Sequence, residues 1–417
     1  MATEGPLIAA VIARMPDPTF NLAAHGVTFA LAILIEAPVI MLMSAATALV
    51  RDRTSFLKLR NFAFALNFLS TAGLLVLLIP SVFNWVTGSL IGLPAEVSSL
   101  TYGALWFMLP WPGAIGYRRF LQGVLIRAGK TRLVAWGTVI RLIAMALASL
   151  CGFLWLDIPG SWIGAMALGI GVSVEAVAAR FMAAPTVRGL LDRKGDLEAT
   201  GREISYRDIA SFYLPLALTS LIGLTVQPLL TFFMGRSVAP LESLAVFPVV
   251  HSLSFFFRSM GLAFQDVAIA LMGERLENFR ELRRFALTLG GATSLGIALV
   301  GFTPLSHVWF VRISGLTPEL TAFALIPTRL LVPLPFLSVI LSLQRAILVQ
   351  GRRTKHITVA SAVELAAVAL VFVSLGWGLN LVGATAAFAA FLGGRLASNA
   401  YLLPSCASVI RTKSRDS

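Results

Sequence analysis

Long, nearly uncharged blocks of apolar residues constrain this chain more than any other feature. Leu31–Val50, Phe62–Phe83, Ile143–Trp155, Leu214–Phe233 and Val359–Trp377 are the clearest. A helix crosses a bilayer core of ~30 Å with ~20 such residues. Inside lipid every backbone N–H and C=O must be paired within the spanning structure, which leaves helices or a closed barrel. A transmembrane barrel would alternate in polarity, and these blocks do not. Of the 417 residues, 57% are hydrophobic and 13% charged, more apolar surface than a water-soluble domain needs. The expectation is an all-α, polytopic membrane protein.

The pattern predicts helices over about 3–14, 20–49, 61–84, 98–126, 132–156, 162–187, 209–235, 242–271, 284–303, 321–349, 356–378 and 381–409. Basic residues sort by side. Six alternate intervening segments, 51–60, 127–132, 188–207, 275–284, 352–355 and 411–415, hold 22 of the 33 lysines and arginines, whereas the opposite side holds Arg14, Arg236 and Arg312. Cytoplasmic loops carry the excess of Lys and Arg. The expected location is therefore the plasma (inner) membrane, multi-pass, with a cytoplasmic C-terminus. The same asymmetry accounts for the net charge of +13 without nucleic acid, since no aromatic-rich basic module surrounds these residues. The start, Met1–Arg14, contains Glu4 and no basic leader, so no cleavable signal peptide is expected.

Sliding the chain by 222 residues brings Pro6 onto Pro228, Arg14 onto Arg236, Pro18 onto Pro240, Leu22-Ala23 onto Leu244-Ala245 and Ala48-Leu49 onto Ala270-Leu271. With one further residue of slip, Leu59-Arg60 meets Leu282-Arg283, Gly92-Leu93 meets Gly315-Leu316, Glu96 meets Glu319, Pro110 and Pro112 meet Pro333 and Pro335, and Thr131 meets Thr354. Prolines, loop glycines and loop charges do not coincide cheaply. The offset covers six helices, an even number, so the two halves share one orientation, as in parallel-repeat transporters. The expected domains are a six-helix lobe over 1–187, a cytoplasmic linker over 188–208 and a second six-helix lobe over 209–417. The seventh helix begins near Ile209, so its partner should begin a dozen residues before Met1, and the first helix is expected to be too short to span.

In topology and repeat the whole chain resembles the multidrug, oligosaccharidyl-lipid and polysaccharide exporter superfamily. Tyr117-Arg118-Arg119-Phe120-Leu121-Gln122-Gly123 with Gly129-Lys130-Thr131 looks like the end of the fourth helix of that superfamily. Phe212–Pro228, Phe247-Pro248-Val249-Val250-His251 and Val332–Arg353 resemble the progressive ankylosis branch. That resemblance implies twelve helices in two lobes and export of small anions such as pyrophosphate or citrate. The multidrug and toxic compound extrusion branch, which exchanges drugs for protons or sodium, is the other relation. No aspartate stands in the expected region of the first helix, so that branch's proton-coupling residue is not carried over.

Ionisable groups at membrane depth are costly and are default functional candidates. The acidic ones are Glu36, Glu175, Asp266 and Glu364; the basic ones are Arg118, Arg119, Arg141, Arg180, Arg258, Arg329, Arg345 and Arg395. By the repeat, Glu36 aligns with Arg258, Arg141 with Glu364, and Glu175 falls beside Arg395. Two readings follow. These six could pair across the lobes as a substrate-binding gate, or Arg141 and Glu364 could pair with neighbours in their own lobes. Glu36 and Asp266 are candidate coupling-ion sites. Arg118, Arg119, Arg180 and Arg345 are expected to snorkel toward the cytoplasmic surface, and Arg329 to sit in an outer vestibule. His25 and His251 read as packing residues that could face a cavity. Pro38 and the repeated Pro110/Pro112 and Pro333/Pro335 predict helix bends. Gly290-Gly291 and Gly393-Gly394 predict close helix packing.

Arginine excess favours a small anionic or phosphate-bearing solute. A cation-coupled multidrug antiporter and a flippase for a lipid-linked head group are the alternatives. The chain contains no HExxH, no GxGD and no Walker lysine loop, so secondary transport by alternating access is expected rather than an enzyme or an ATP-driven pump. Cys151, Cys406 and four scattered histidines provide no metal-ligand spacing. No cofactor, metal or disulfide is expected, and the protein is expected to act as a monomer.

Overall fold

A computed structural model of the protein describes residues 3–192, 204–273 and 276–413. The first half contains α1 (Glu4–Ile12), α2 (Pro18–Glu36), α3 (Leu42–Leu49), α4 (Arg53–Leu77), α5 (Pro80–Asn84), α6 (Ala95–Phe107), α7 (Trp111–Arg127), α8 (Thr131–Trp155) and α9 (Gly160–Asp192). The second contains α10 (Tyr206–Gly235), α11 (Pro240–Leu271), α12 (Phe279–Phe302), α13 (Leu305–His307), α14 (Pro318–Leu330), α15 (Leu334–Gln350), α16 (Lys355–Phe372) and α17 (Gly383–Lys413). Each of the twelve expected segments contains helix. Among the described residues, eight single helices are long and apolar enough to cross a membrane, and the bent pair α14–α15 makes a ninth.

The prolines interrupt the expected helices. The segment expected over 20–49 breaks at 37–41, around Pro38. That over 98–126 breaks before Trp111, where Pro110 is the N-cap and Pro112 sits in the first turn of α7. In the second half Pro333 caps α15 with Pro335 in its first turn, and α14 and α15 meet at 41°. Proline lacks the N–H that a continuing helix would use and clashes with the preceding turn.

Several basic residues expected between helices lie on them. Arg53, Lys58 and Arg60 belong to the first turns of α4, and Arg280, Arg283 and Arg284 to α12. The reason at α4 is a cap: Asp52 accepts from the Ser55 N–H at 2.7 Å, and the Ser55 side chain answers the Asp52 backbone N–H. That reciprocal pair starts the helix eight residues before the expected start at 61. Asp52→Ala should lower stability by about 1 kcal/mol, read as a lower unfolding midpoint in detergent. The expected linker also shortens, because α9 continues to Asp192. Its residues 193–203, including Gly195 and Gly201, lie outside the described residues.

The repeat extends to backbone irregularities. Left-handed residues recur in register: Asp17 and Ala239 (φ 49° and 52°), Gly92 and Gly315 (82° and 73°), Gly129 and Arg352 (73° and 55°). The π-helical turns Trp85–Ile91 and Val308–Ile313 begin 223 residues apart, as do α9 and α17. The two positive-φ glycines at the second of these pairs also share a contact. A Cβ on Gly315 would meet the Arg14 side chain at 2.9 Å, and one on Gly92 would meet that of Arg236 at 3.6 Å. Arg14 donates to the Arg312 carbonyl at 2.5 Å, and Arg236 lies over the Phe232 ring. Three basic residues assigned to one face by charge counting thus cluster around matching turns.

Two compact units emerge. Val27–Leu90 and Pro94–Pro228 form the first. Ile91–Leu93, the described residues before Val27 and those from Leu229 onward form the second. Each unit therefore includes the leading helix of the other half of the sequence. In the first, the Tyr213 hydroxyl on α10 donates to the Pro38 carbonyl and its ring meets Phe62 edge-on at 5.3 Å. In the second, the nine-residue α1 lies on α11, with Gly5 against Ser252. Close helix contacts use glycine where expected at Gly290, Gly393 and Gly394, whose Cβ would meet Phe336, Val371 and Val368. Gly291 differs: it points to open space, because one residue along a helix turns a side chain by about 100°.

Candidate functional site

In the first unit the charged groups converge on Glu175. This carboxylate on α9 is fully buried. It accepts from Arg118 Nη1 on α7, lies 3.3 Å from Arg141 Nε on α8 and accepts from Gln122 Nε2 at 3.0 Å. Arg118 and Gln122 are one turn apart on α7 and so share a face. Arg118 is 2% exposed, which corrects the expectation that it snorkels. A buried carboxylate holds it there, and a buried charge persists only when paired. Arg180 is exposed, as expected, and donates to the Tyr117 hydroxyl at 2.9 Å. Arg119 is half-buried against Met43. Glu36, the last residue of α2, is buried and accepts from Trp111 Nε1 at 2.6 Å. The break after Glu36 and the one before Trp111 bring these two helix ends together.

In the second unit Arg395 of α17 pairs with Glu364 of α16, Nη2 to Oε1 at 2.9 Å and Nε to Oε1 at 3.1 Å. Asn399, one turn further, donates to the Arg395 carbonyl at 2.8 Å and the Leu337 carbonyl at 3.2 Å. The Arg258 guanidinium lies over the Phe391 ring at 4.7 Å. Its Nε and Nη1 are buried with no hydrogen-bond partner among the described residues, and so is Nε of Arg345. Arg258 reaches α17 at Phe391, one turn before Arg395, and Arg345 is carried on α15, which packs against both α11 and α17. With Glu364 these arginines form one group of three guanidiniums and one carboxylate.

Arg141–Glu175 and Glu364–Arg395 therefore each bridge corresponding helices, α8 to α9 and α16 to α17, with reversed polarity. Both pairs close within their own units. The alignment of Glu175 beside Arg395 needs a correction. Gly171 packs on Met145 of α8, and Gly394 packs on Val368 of α16; both matches are 223 apart. That register puts Glu175 level with Ser398, one turn beyond Arg395.

The remaining candidates stand apart. Asp266 is exposed on α11. Arg329 donates to the Gly301 carbonyl at 2.9 Å and lies over Phe302. His25 is buried, and His251 stacks on Phe247 and touches Phe391. Sequence reasoning passed over Trp111, Gln122 and Ser398. The repeat carried a signal for two of them, since it sets neutral Gln122 and Ser398 opposite charged Arg345 and Glu175.

This arrangement of broken, repeated helices is the fold of transporters of the MOP superfamily. A multidrug resistance MATE family transporter in an inward-facing conformation superposes with a TM-score of 0.72 at 16% identity, over 100% of this chain and 96% of its own. The lipid II flippase MurJ, in an inward closed conformation, gives 0.70 at 13% identity over 99% and 88%. A MOP superfamily transporter from Pyrococcus furiosus Vc1 (DSM3638), whose binding pocket has reverse polarity, gives 0.64 at 15% identity over 99% and 91%. The sequence matches no protein-family model and no curated protein.

Proposed function

We propose that this protein is a secondary transporter that carries a small organic anion or phosphate-bearing solute by alternating access. The carrying observation is the Arg258 guanidinium, held in the second unit with two buried N–H groups that no described protein group accepts. Such groups are costly unless a ligand completes them, and guanidinium forks suit carboxylates and phosphates. The fold, shared with a MATE transporter and a flippase, supports transport. A fold neighbour whose reversed binding-pocket polarity suggests a different function supports a reading other than multidrug exchange. Glu36, a buried carboxylate that accepts from Trp111 Nε1, is the coupling-ion candidate. It is also the observation that favours the second reading, a cation-coupled antiporter.

The test is counterflow in liposomes with labelled citrate, pyrophosphate and a cationic dye. Anion uptake should fall at least about tenfold in Arg258→Ala, the loss of one or two charge-assisted hydrogen bonds. Dye exchange driven by a proton or sodium gradient, unchanged in Arg258→Ala, would return the protein to the antiporter reading.

A further inference from the structure

We infer that the second unit binds one dianion on Arg258, Arg345 and Arg395, in the place that Glu175 fills in the first unit. This deepens the reading above and rests on it for the transport step only.

The argument is a comparison of equivalent positions. Gly160 and Gly383 open α9 and α17, and Gly171 and Gly394 make matching contacts, so the register of 223 is fixed by packing. Around Glu175 stand Arg118, Gln122 and Arg141, and Glu36 closes α2 in the same unit. Their counterparts are Leu341, Arg345, Glu364 and, on α11, Arg258, while Glu175 itself becomes Ser398. The first unit thus carries its own central carboxylate, which takes hydrogen bonds from Arg118 and Gln122 and an ion pair from Arg141. The second unit has exchanged that carboxylate for a hydroxyl and gained arginines at 258 and 345, with Arg395 one turn from Ser398. Three guanidiniums face a single acid, Glu364, an excess of two positive charges.

Unmet hydrogen bonds occur on α11, α15 and α17, the helices that carry these arginines. Besides Arg258 Nε and Nη1 and Arg345 Nε, the Ser398 hydroxyl is buried without a partner among the described residues. All four atoms can donate, and the neighbouring Gln344 Oε1 and Asn399 Oδ1, also without a partner among the described residues, accept; the ligand must therefore accept, can carry a hydroxyl donor as well, and the local charge calls for two negative charges. A phosphate monoester or a dicarboxylate meets both conditions, and planar guanidinium forks bind either. The phosphate could belong to a free solute or to a lipid head group.

The test is binding to the full chain in a neutral detergent, by calorimetry, with succinate and glycerol 3-phosphate as dianions and lactate as the monoanion. The dianions should bind at least tenfold more tightly than lactate. Arg345→Gln, which installs the first unit's residue, should weaken dianion binding at least tenfold. Ser398→Glu should abolish it by restoring the internal carboxylate, and Arg329→Gln should leave it within twofold. Equal binding of succinate and lactate, or wild-type binding by Ser398→Glu, would overturn the site. Should Ser398→Glu not fold, unchanged affinity in Arg345→Gln overturns it equally. In nanodiscs containing a phosphomonoester lipid, competition against glycerol 3-phosphate assigns the ligand to a head group, and its absence assigns it to a free solute; either supports the site. Anion counterflow lost in Arg258→Ala but intact in Arg345→Gln and Ser398→Glu would overturn this placement and leave anion transport standing. A wild-type protein that neither binds a dianion nor exchanges any anion would overturn both.

Discussion

Glu175→Ala is expected to be the most destabilising single change in the first unit, by about 3–5 kcal/mol. It removes the carboxylate shared by Arg118 and Arg141, both 3% exposed or less. Two guanidiniums then remain buried without the carboxylate they share. Breaking a buried ion pair from one side costs more than the pair contributes, because the orphaned charge keeps its desolvation penalty. Removing the charges together avoids this. The triple variant Arg118→Met, Arg141→Met, Glu175→Leu should recover most of the loss, since apolar replacements of similar size are often neutral. Thermal unfolding in detergent reads both. A midpoint for Glu175→Ala equal to that of the wild type would mean that water reaches the arginines, and the account of this cluster as closed would fail. A triple variant that is stable but inactive would instead give the cluster a part in transport.

The second large effect concerns Gly123. A Cβ there would lie 2.4 Å from the Met43 carbonyl oxygen and 2.6 Å from the Ala46 Cβ, where α7 crosses α3. Neither neighbour is the tip of a flexible side chain, so the helices must separate. Gly123→Val should cost about 3 kcal/mol or more, the upper range for overpacking. Even Gly123→Ala should destabilise, although alanine gains about 1 kcal/mol in helix propensity over glycine. Gly291→Ala is the matched control. Nothing lies within 4 Å of its Cβ, and the variant should be neutral or more stable by up to about 1 kcal/mol. Unfolding midpoints that move in the same direction for Gly123→Ala and Gly291→Ala would contradict the packing at α3 and α7.

Apolar blocks and the repeat made most of the helices legible in the sequence, because hydropathy and proline act locally. Pro38 and the repeated prolines together marked three of the breaks. The start of α4 was not legible from hydropathy, since Asp52 and Ser55 set it eight residues ahead of the expected start at 61. The candidate site was legible as a set of charges but not as contacts. Arg118 lies in a segment rich in loop-like basic residues, and only the three-dimensional meeting of α7 with α9 reveals that Glu175 retains it. The partner of Arg395 depended on register. The offset of 223 already sets Glu175 on Ser398, and placing it three residues away moves a carboxylate by about one helical turn. Trp111 and Gln122 carry no charge, so a search for ionisable groups passes over them.

The exchange of leading helices between the two units bears on how such a protein can be taken apart. The first unit needs 206–228, including Tyr213 against Pro38 and Phe62, and the Lys58 ammonium donates to the Ile204 carbonyl at 3.0 Å. Cutting the gene at the charged stretch before Tyr206 would strand these contacts on the wrong fragment. A chimaera that grafts one half from a distant relative would mismatch them as well. Natural exchange of halves is thereby discouraged, and substitutions at Pro38, Phe62 and Tyr213 should drift together rather than singly. The seam along which this sequence was duplicated is not the seam along which it folds.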